Sequence, residues 1–521
     1  MRSHLPAAAA AALLLAGCST MRPAAIGPTF VAPPTQGTAE ERTRIALSRI
    51  EALNPAVNAV IAVDPTALDQ ARSLDRAGRV TGPVHGMPIL IKDNIDTLGP
   101  LPTTAGSLAL ANNVTNRDAP LVARLRAAGA VIVGKANLSE WANMRDDDSI
   151  SGWSAVGGQT RNAHALNRNA CGSSTGSAVA VAAGMVPAAI GTETDGSITC
   201  PAAANGIVGF KPTVGLVSRT HVVPISSSQD TPGPMTRTVR DAALVLEAMA
   251  GSDPADRATA EADRHLTPFS RQLSADSLRG QRIGVMRLPS GTGTEEAFEA
   301  ALATLRAQGA ILVDIREVPN RAEVGRNEFT VLLHEFKDTL NEYLASTPPS
   351  VTTRTMADVI AFNARTPREM VLFDQDTMEQ SQATDGMNSQ AYRTARATSL
   401  RLAGPEGIDK LLRDNNVVAL VSPTRGAAWL IDTVHGDTST GGGPLGGFAA
   451  VAGYPHLTVP MGAYRGLPVG LSFIGPKWSD ALILSLGYAY EQASQRRVDP
   501  RFLPSIEEAP EVAPALQPTP R

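Results

Sequence analysis

Short, unbroken apolar runs alternate along this chain with segments whose apolar residues recur every three or four positions. Ala39–Leu53 places Ile45, Leu47, Ile50 and Leu53 at helical spacing behind an acidic first turn, which predicts an amphipathic helix. Val57–Val63 reads as a strand and Thr66–Ala77 as a second helix. Pro88-Ile89-Leu90-Ile91 is apolar at every position and stops at Lys92-Asp93-Asn94. A run without alternation predicts a strand buried on both faces, as in parallel sheets covered by helices. The rhythm continues with a helix over Asp118–Ala128, a strand over Ala130–Val133, a helix over Ala178–Gly184, a strand over Val186–Gly191 and a helix over Asp241–Met249. Such alternation predicts βαβ units and an α/β fold.

Beyond Gly251 the pattern changes. Strands over Arg282–Met286 and Ala310–Glu317 flank a helix over Thr294–Gln308. Residues 328–412 are mainly helical and more polar, with helices predicted over Phe329–Tyr343, Met356–Asn363, Pro367–Leu372 and Gln390–Leu402. These form a lobe attached to the sheet. Val417–Val421, Leu457–Val459 and Val469–Ile474 return to strand character, and a helix over Ser479–Ser494 follows. The Gly/Thr/Ser-rich stretch His435–Gly447 predicts a mobile loop.

The two ends differ from the middle of the 521 residues. Residues 1–17 carry Arg2 and His4 and then an Ala/Leu run too short to span a bilayer, which reads as a secretory signal. Small residues before Cys18 resemble a bacterial lipobox. That resemblance implies cleavage before Cys18, lipid on its thiol and, with Ser19 next, an outer-membrane destination facing periplasm or surface. An ordinary signal peptide with an incidental cysteine is the alternative. The Pro/Ala/Thr/Gly composition of residues 18–38 predicts a flexible tether, and Pro-rich residues 504–521 predict a disordered tail. Residues 39–503 then form one large domain, expected as a monomer.

A net charge of −4 without a basic stripe gives no footprint for nucleic acid. No His/Cys/carboxylate spacing suits a metal, and no phosphate-binding loop motif appears, so no cofactor is expected. Of the three cysteines, Cys171 and Cys200 remain after Cys18. An exported location permits a disulfide between them. Two small buried thiols packed beside turns is the plainer reading.

Candidate chemistry gathers in two Gly/Ser-rich turns, Cys171-Gly172-Ser173-Ser174-Thr175-Gly176-Ser177-Ala178 and Gly191-Thr192-Glu193-Thr194-Asp195-Gly196-Ser197-Ile198. Each offers hydroxyls and a row of backbone N–H groups, the parts an acyl-transfer site needs. Glycine at 196 lets the amides of Thr194, Asp195, Gly196 and Ser197 turn toward one oxygen. No histidine sits in a triad setting, and there is no G-x-S-x-G elbow. Lys92 ends a buried strand, where desolvation disfavours its ammonium, so it is the candidate base. A structural lysine paired with Asp93 or Asp96 is the competing reading.

Gly86-Met87-Pro88 through Asn94, Thr103–Ser107, Gly134–Glu140, the two turns, Gly206–Thr213 and Asp230–Met235 follow one another in the order found in the amidase signature family of serine hydrolases. The chain resembles that family over residues 40–500. Within it, Ser139–Asn143, Asp148–Ser154, Glu335–Lys337 and Leu402–Ile408 resemble bacterial peptide amidases most. The resemblance implies a large mixed sheet covered by helices on both faces. It implies Ser197 as nucleophile, Ser173 as a relay after a cis peptide, and Lys92 as base. Ser149, Ser174 and Asp195 become candidate substrate contacts, with Ser177 read as a packing residue. The implied reaction is hydrolysis of a carboxamide, such as a peptide C-terminal amide, to acid and ammonia. An aryl or alkyl amide, ester or carbamate would use the same chemistry. A non-catalytic envelope lipoprotein and the glutaminase component of a tRNA-dependent amidotransferase are the other readings. Thr175 and Asp195 depart from the family pattern, which has Gly at both positions in many members.

Overall fold

The unbroken run at Pro88 becomes a strand that feeds two cores. Ile89 and Ile91 pack on one side with the helices Pro120–Ala127, Val239–Met249, Glu295–Ala307 and Asp480–Ser494. Leu90 faces the other side with Ala39–Val57, Ala67–Ala77 and Thr175–Ala182. Period-two alternation therefore survives, with every position apolar because both faces are covered. These features come from a computed structural model that describes residues 30–438 and 440–518.

Among the described residues thirteen strands follow in chain order: β1 (Val60–Val63), β2 (Pro88–Lys92), β3 (Val131–Ala136), β4 (Trp153–Ser154), β5 (Gly158–Gln159), β6 (Ala188–Glu193), β7 (Val208–Lys211), β8 (Thr231–Thr236), β9 (Arg282–Met286), β10 (Ile311–Ile315), β11 (Ala419–Pro423), β12 (His456–Tyr464) and β13 (Leu467–Ile474). β4 and β5 form a separate small pair. The other eleven form one sheet in the order β1-β3-β2-β6-β8-β7-β12-β13-β11-β9-β10. β3, β2 and β6 run parallel, as do β11, β9 and β10, while the strands between them pair antiparallel. The fold is thus the large mixed sheet with helices on both faces. The βαβ rhythm holds only at its two flanks.

The helical lobe begins earlier than expected, with Arg321–Ala345, and adds Met356–Ala364, Pro367–Met370, Asp376–Gln382 and Gln390–Ala403. Phe336, Leu340 and Tyr343 of its long helix share a core with Trp141, Val223 and Ile225. Arg145 deepens the join: its guanidinium pairs with Glu140 at 2.7 Å and with Glu369 of the lobe at 3.2 Å, fully buried.

The signal segment 1–17 and Cys18 lie outside the described residues. The described part of the expected tether lies on the domain: Ala32 O accepts from Arg49 Nη2 at 3.0 Å, and Arg237 stacks over the Phe30 ring at 4.2 Å. An aromatic ring in an otherwise Pro/Ala-rich stretch gives it apolar surface to bury. The expected tail also begins packed. Ile506 and Ala509 are buried, and Arg501 pairs with Glu511 at 2.7 Å. Proline content masked these two small anchors.

Candidate active site

β2, β3 and β6 end at the same edge of the sheet, the edge where parallel strands leave a crevice beyond their carboxyl ends. There β2 delivers Lys92 and β6 delivers Thr192. Lys92 is fully buried. Its Nζ donates to Ser173 Oγ at 2.7 Å, to Thr192 Oγ1 at 2.8 Å and to the Thr192 carbonyl at 3.4 Å. Thr192 Oγ1 also accepts from Asn94 Nδ2 at 3.0 Å. Burial pushes the Lys92 ammonium down to about 7, against the opposing fields of Asp230 and Glu193. Among the described residues no carboxylate lies within ion-pair distance of it. Asp93 instead pairs with Lys135 at 3.2 Å, and Asp96 with Arg117 at 2.8 Å.

The two turns meet beside Lys92. Gly172-Ser173 is a cis peptide. The Ser173 carbonyl accepts from Ser139 N at 3.1 Å, and Ser174 N donates to the Ser197 carbonyl at 3.1 Å, which ties one turn to the other. Ser174 Oγ donates to the Thr192 carbonyl at 3.0 Å and accepts from its amide at 3.1 Å. Gly191 permits that approach, since a Cβ there would stand 2.8 Å from Ser174 Oγ. Ser177 Oγ donates to the Ile190 carbonyl at 3.0 Å, in line with a packing role.

Ser197 lies between β6 and the helix Thr199–Ala204. Gly196 has φ +76°, and a Cβ added there would meet nothing within 4 Å. Backbone conformation, not space, calls for glycine. The turn is held from behind. Glu193 Oε2 accepts from the amides of Ile198 at 2.8 Å and Thr199 at 2.9 Å, and Thr194 Oγ1 donates to Asp230 Oδ1 at 2.5 Å. The amides of Thr194, Asp195, Gly196 and Ser197 donate to no protein acceptor among the described residues.

These residues line a cleft of about 450 Å³ that also takes in Gly172, Leu332 of the lobe, Trp429 and His456. Two expected substrate contacts lie elsewhere: Ser174 is buried in the hydrogen bonds above, and Ser149 Oγ donates to the Asp146 carbonyl at 2.6 Å. Asp195 does face the cleft. Its side chain is exposed to water within the cleft. The protein packed around the cleft pushes its carboxyl up to about 6, with Glu193 adding repulsion and Lys211 opposing.

Cys171 and Cys200, read above as separate thiols, form a disulfide with Cα atoms 6.0 Å apart. It joins the Ser173 turn to the helix after Ser197. Both cysteines pack against Ala204 and Trp429, a proximity invisible from two cysteines 29 residues apart in sequence. The stretch expected as a mobile loop is anchored by Asp437, which accepts from Trp429 Nε1 at 3.1 Å, Asn169 Nδ2 at 2.9 Å and Ser151 N at 3.2 Å. Thr192, Glu193, Asp230 and Asp437 were not singled out as site residues. For Thr192 and Glu193 the signal was there, as polar residues closing an apolar run.

Residues 41–484 match the Amidase family model, and the chain belongs to that family. It is an amidase, an enzyme that hydrolyses C–N bonds. Its sequence is 39% identical over 480 residues, 89% of each chain, to the Arabidopsis thaliana protein named "Probable amidase". It is 34% identical over 485 residues to the "Putative amidase" of Arthroderma benhamiae, covering 87% of this chain and 78% of that one. Among solved structures, the peptide amidase of Stenotrophomonas maltophilia is 49% identical and superposes with a TM-score of 0.85, over 89% of this chain and 96% of that one.

Proposed function

We propose that the chain hydrolyses peptide C-terminal carboxamides through an acyl-enzyme on Ser197. The observation that carries the mechanism is the contact of 2.7 Å between the buried Lys92 Nζ and Ser173 Oγ, beside a turn of undonated amides that ends in Ser197. A lysine lowered to about 7 is unprotonated in a large share of molecules at neutral pH. It takes the Ser173 proton as Ser173 takes that of Ser197. Ser197 Oγ attacks the carboxamide carbon, and the amides of residues 194–197 receive the oxyanion. Each such donor supplies about 2.7–4 kcal/mol to the transition state. The proton returns through Ser173 to the departing nitrogen, which leaves as ammonia. Water then attacks the acyl-enzyme by the same relay and releases the acid.

The likeness to the Stenotrophomonas maltophilia peptide amidase supports the choice of a peptide amide as substrate. We further propose export and lipid attachment at Cys18. The Cys171–Cys200 disulfide supports this, because such bonds persist in oxidising compartments. The test is ammonia release from a C-terminally amidated dipeptide compared with aniline release from the matching anilide. The reading predicts faster turnover of the amide and loss of both activities in Ser197→Ala. Wild-type rates from Ser197→Ala would sink the mechanism, and anilide preference would sink the substrate.

A further inference from the structure

An anion beside a forming oxyanion raises the barrier unless something positive answers it, and Asp195 makes no hydrogen bond or ion pair among the described residues. Its nearest cation in field terms, Lys211, donates to the Pro212 carbonyl at 3.3 Å instead. A second carboxylate faces the same spot. A Cβ placed on the cleft-lining Gly447 would stand 3.4 Å from Asp195 Oδ2 and 3.7 Å from Glu328 Oε2. Glu328 comes from the lobe's long helix and is only 7% exposed. Its Oε1 accepts from Gln229 Nε2 at 2.8 Å, and Oε2 has no protein partner among the described residues. Burial and the neighbouring Asp195 push the Glu328 carboxyl well up, so the pair carries its full charge only with a cation beside it.

An independent feature of the same cleft is also short of a donor. His456 lines it, is 2% exposed, and holds Ser472 Oγ at 2.7 Å through Nε2, while Nδ1 is unpartnered. Burial pushes this imidazole down to about 4, so at neutral pH the ring is uncharged and Nδ1 can accept. The cleft's Arg425 stacks on Trp429 at 4.3 Å within the field of Asp437.

We propose that Asp195 and Glu328 form a subsite for an ammonium group on the residue that bears the carboxamide. The inference rests on the amidase reading above. The charge lies either at the end of that residue's side chain, as a peptide amide allows, or on the α-nitrogen, which only a free amino-acid amide leaves charged, and the experiment separates the two.

Binding to the full Ser197→Ala chain is measured by calorimetry for two pairs of amides. Leucinamide against N-acetyl-leucinamide isolates the α-ammonium. N-acetyl-lysinamide against N-acetyl-norleucinamide isolates the side chain. The subsite predicts that the charged member of at least one pair binds at least tenfold tighter, and that Glu328→Gln removes most of that ratio. Asp195→Asn serves as a second variant should Glu328→Gln fold poorly. Equal affinities within both pairs, or a ratio that both variants leave intact, would overturn it. Ammonia release from N-acetyl-norleucinamide by the unmutated chain tests the amidase reading separately, since binding here needs no turnover.

Discussion

Lys92 and Lys135 stand on neighbouring parallel strands, both shut away from water, in opposite chemical company. Lys135 Nζ meets Asp93 at 3.2 Å, the Ile95 carbonyl at 2.7 Å and Thr103 Oγ1 at 3.0 Å. A carboxylate and two further acceptors suit the three donors of an ammonium. Lys92 meets hydroxyls of Ser173 and Thr192, groups that can donate as well as accept, and no carboxylate. Burial alone does not make a base of a lysine; burial without a counter-charge, against a reversible partner, does. Chain order hides this. Asp93 follows Lys92 directly, yet β2 turns its side chain across to β3.

The comparison breaks most visibly by removing each amine in turn. Lys92→Met keeps the volume and deletes the proton acceptor, and kcat should fall about 10²- to 10⁴-fold, the usual share of a general base. Thermal unfolding would show little loss, because no partner charge is stranded. Lys135→Met should act the other way. It leaves Asp93 buried and unpaired, at a cost of about 3–5 kcal/mol in denaturant unfolding, while kcat of the folded fraction stays within a few-fold. Adding Asp93→Asn should return most of that stability. A large kcat loss in Lys135→Met with unchanged stability would reverse the assignment.

Thr192→Val is a finer probe. It removes an acceptor that favours the charged form of Lys92, so the rise of kcat/KM with pH should move to lower pH. It also leaves Asn94 Nδ2 short of a partner, at about 1 kcal/mol. An inflection that moves upward would contradict the role given to the Thr192 hydroxyl.

Where strands obey the apolar-run rule they were legible, and β9 matches its expected span Arg282–Met286. β8 was not, because Thr-Pro-Gly-Pro-Met-Thr carries two prolines and a glycine. It is tolerated at the centre of the sheet because β7 pairs only with Met235 and Thr236, leaving the ladder one-sided at Pro232 and Pro234. β7 and the helix Thr199–Ala204 went unread for want of length. In the site, Lys92 and the two turns stood out because polar residues interrupt apolar or Gly-rich contexts. Glu328 and Asp437 did not. Glu328 is one acid on a polar helix, and Asp437 lies in a stretch that reads as loose. Only long-range packing brings them to the cleft.

The central claim is that Lys92, acting through Ser173, activates Ser197. The most direct measurement is the rate at which a fluorophosphonate labels Ser197 between pH 5 and 9, with the labelled residue located by peptide mass. Since the neutral amine is the active form, the rate should rise about tenfold per pH unit below 7, level off above it, and become slow in Lys92→Met. Labelling at another residue, or a Lys92→Met profile matching the unmutated chain, would contradict the account.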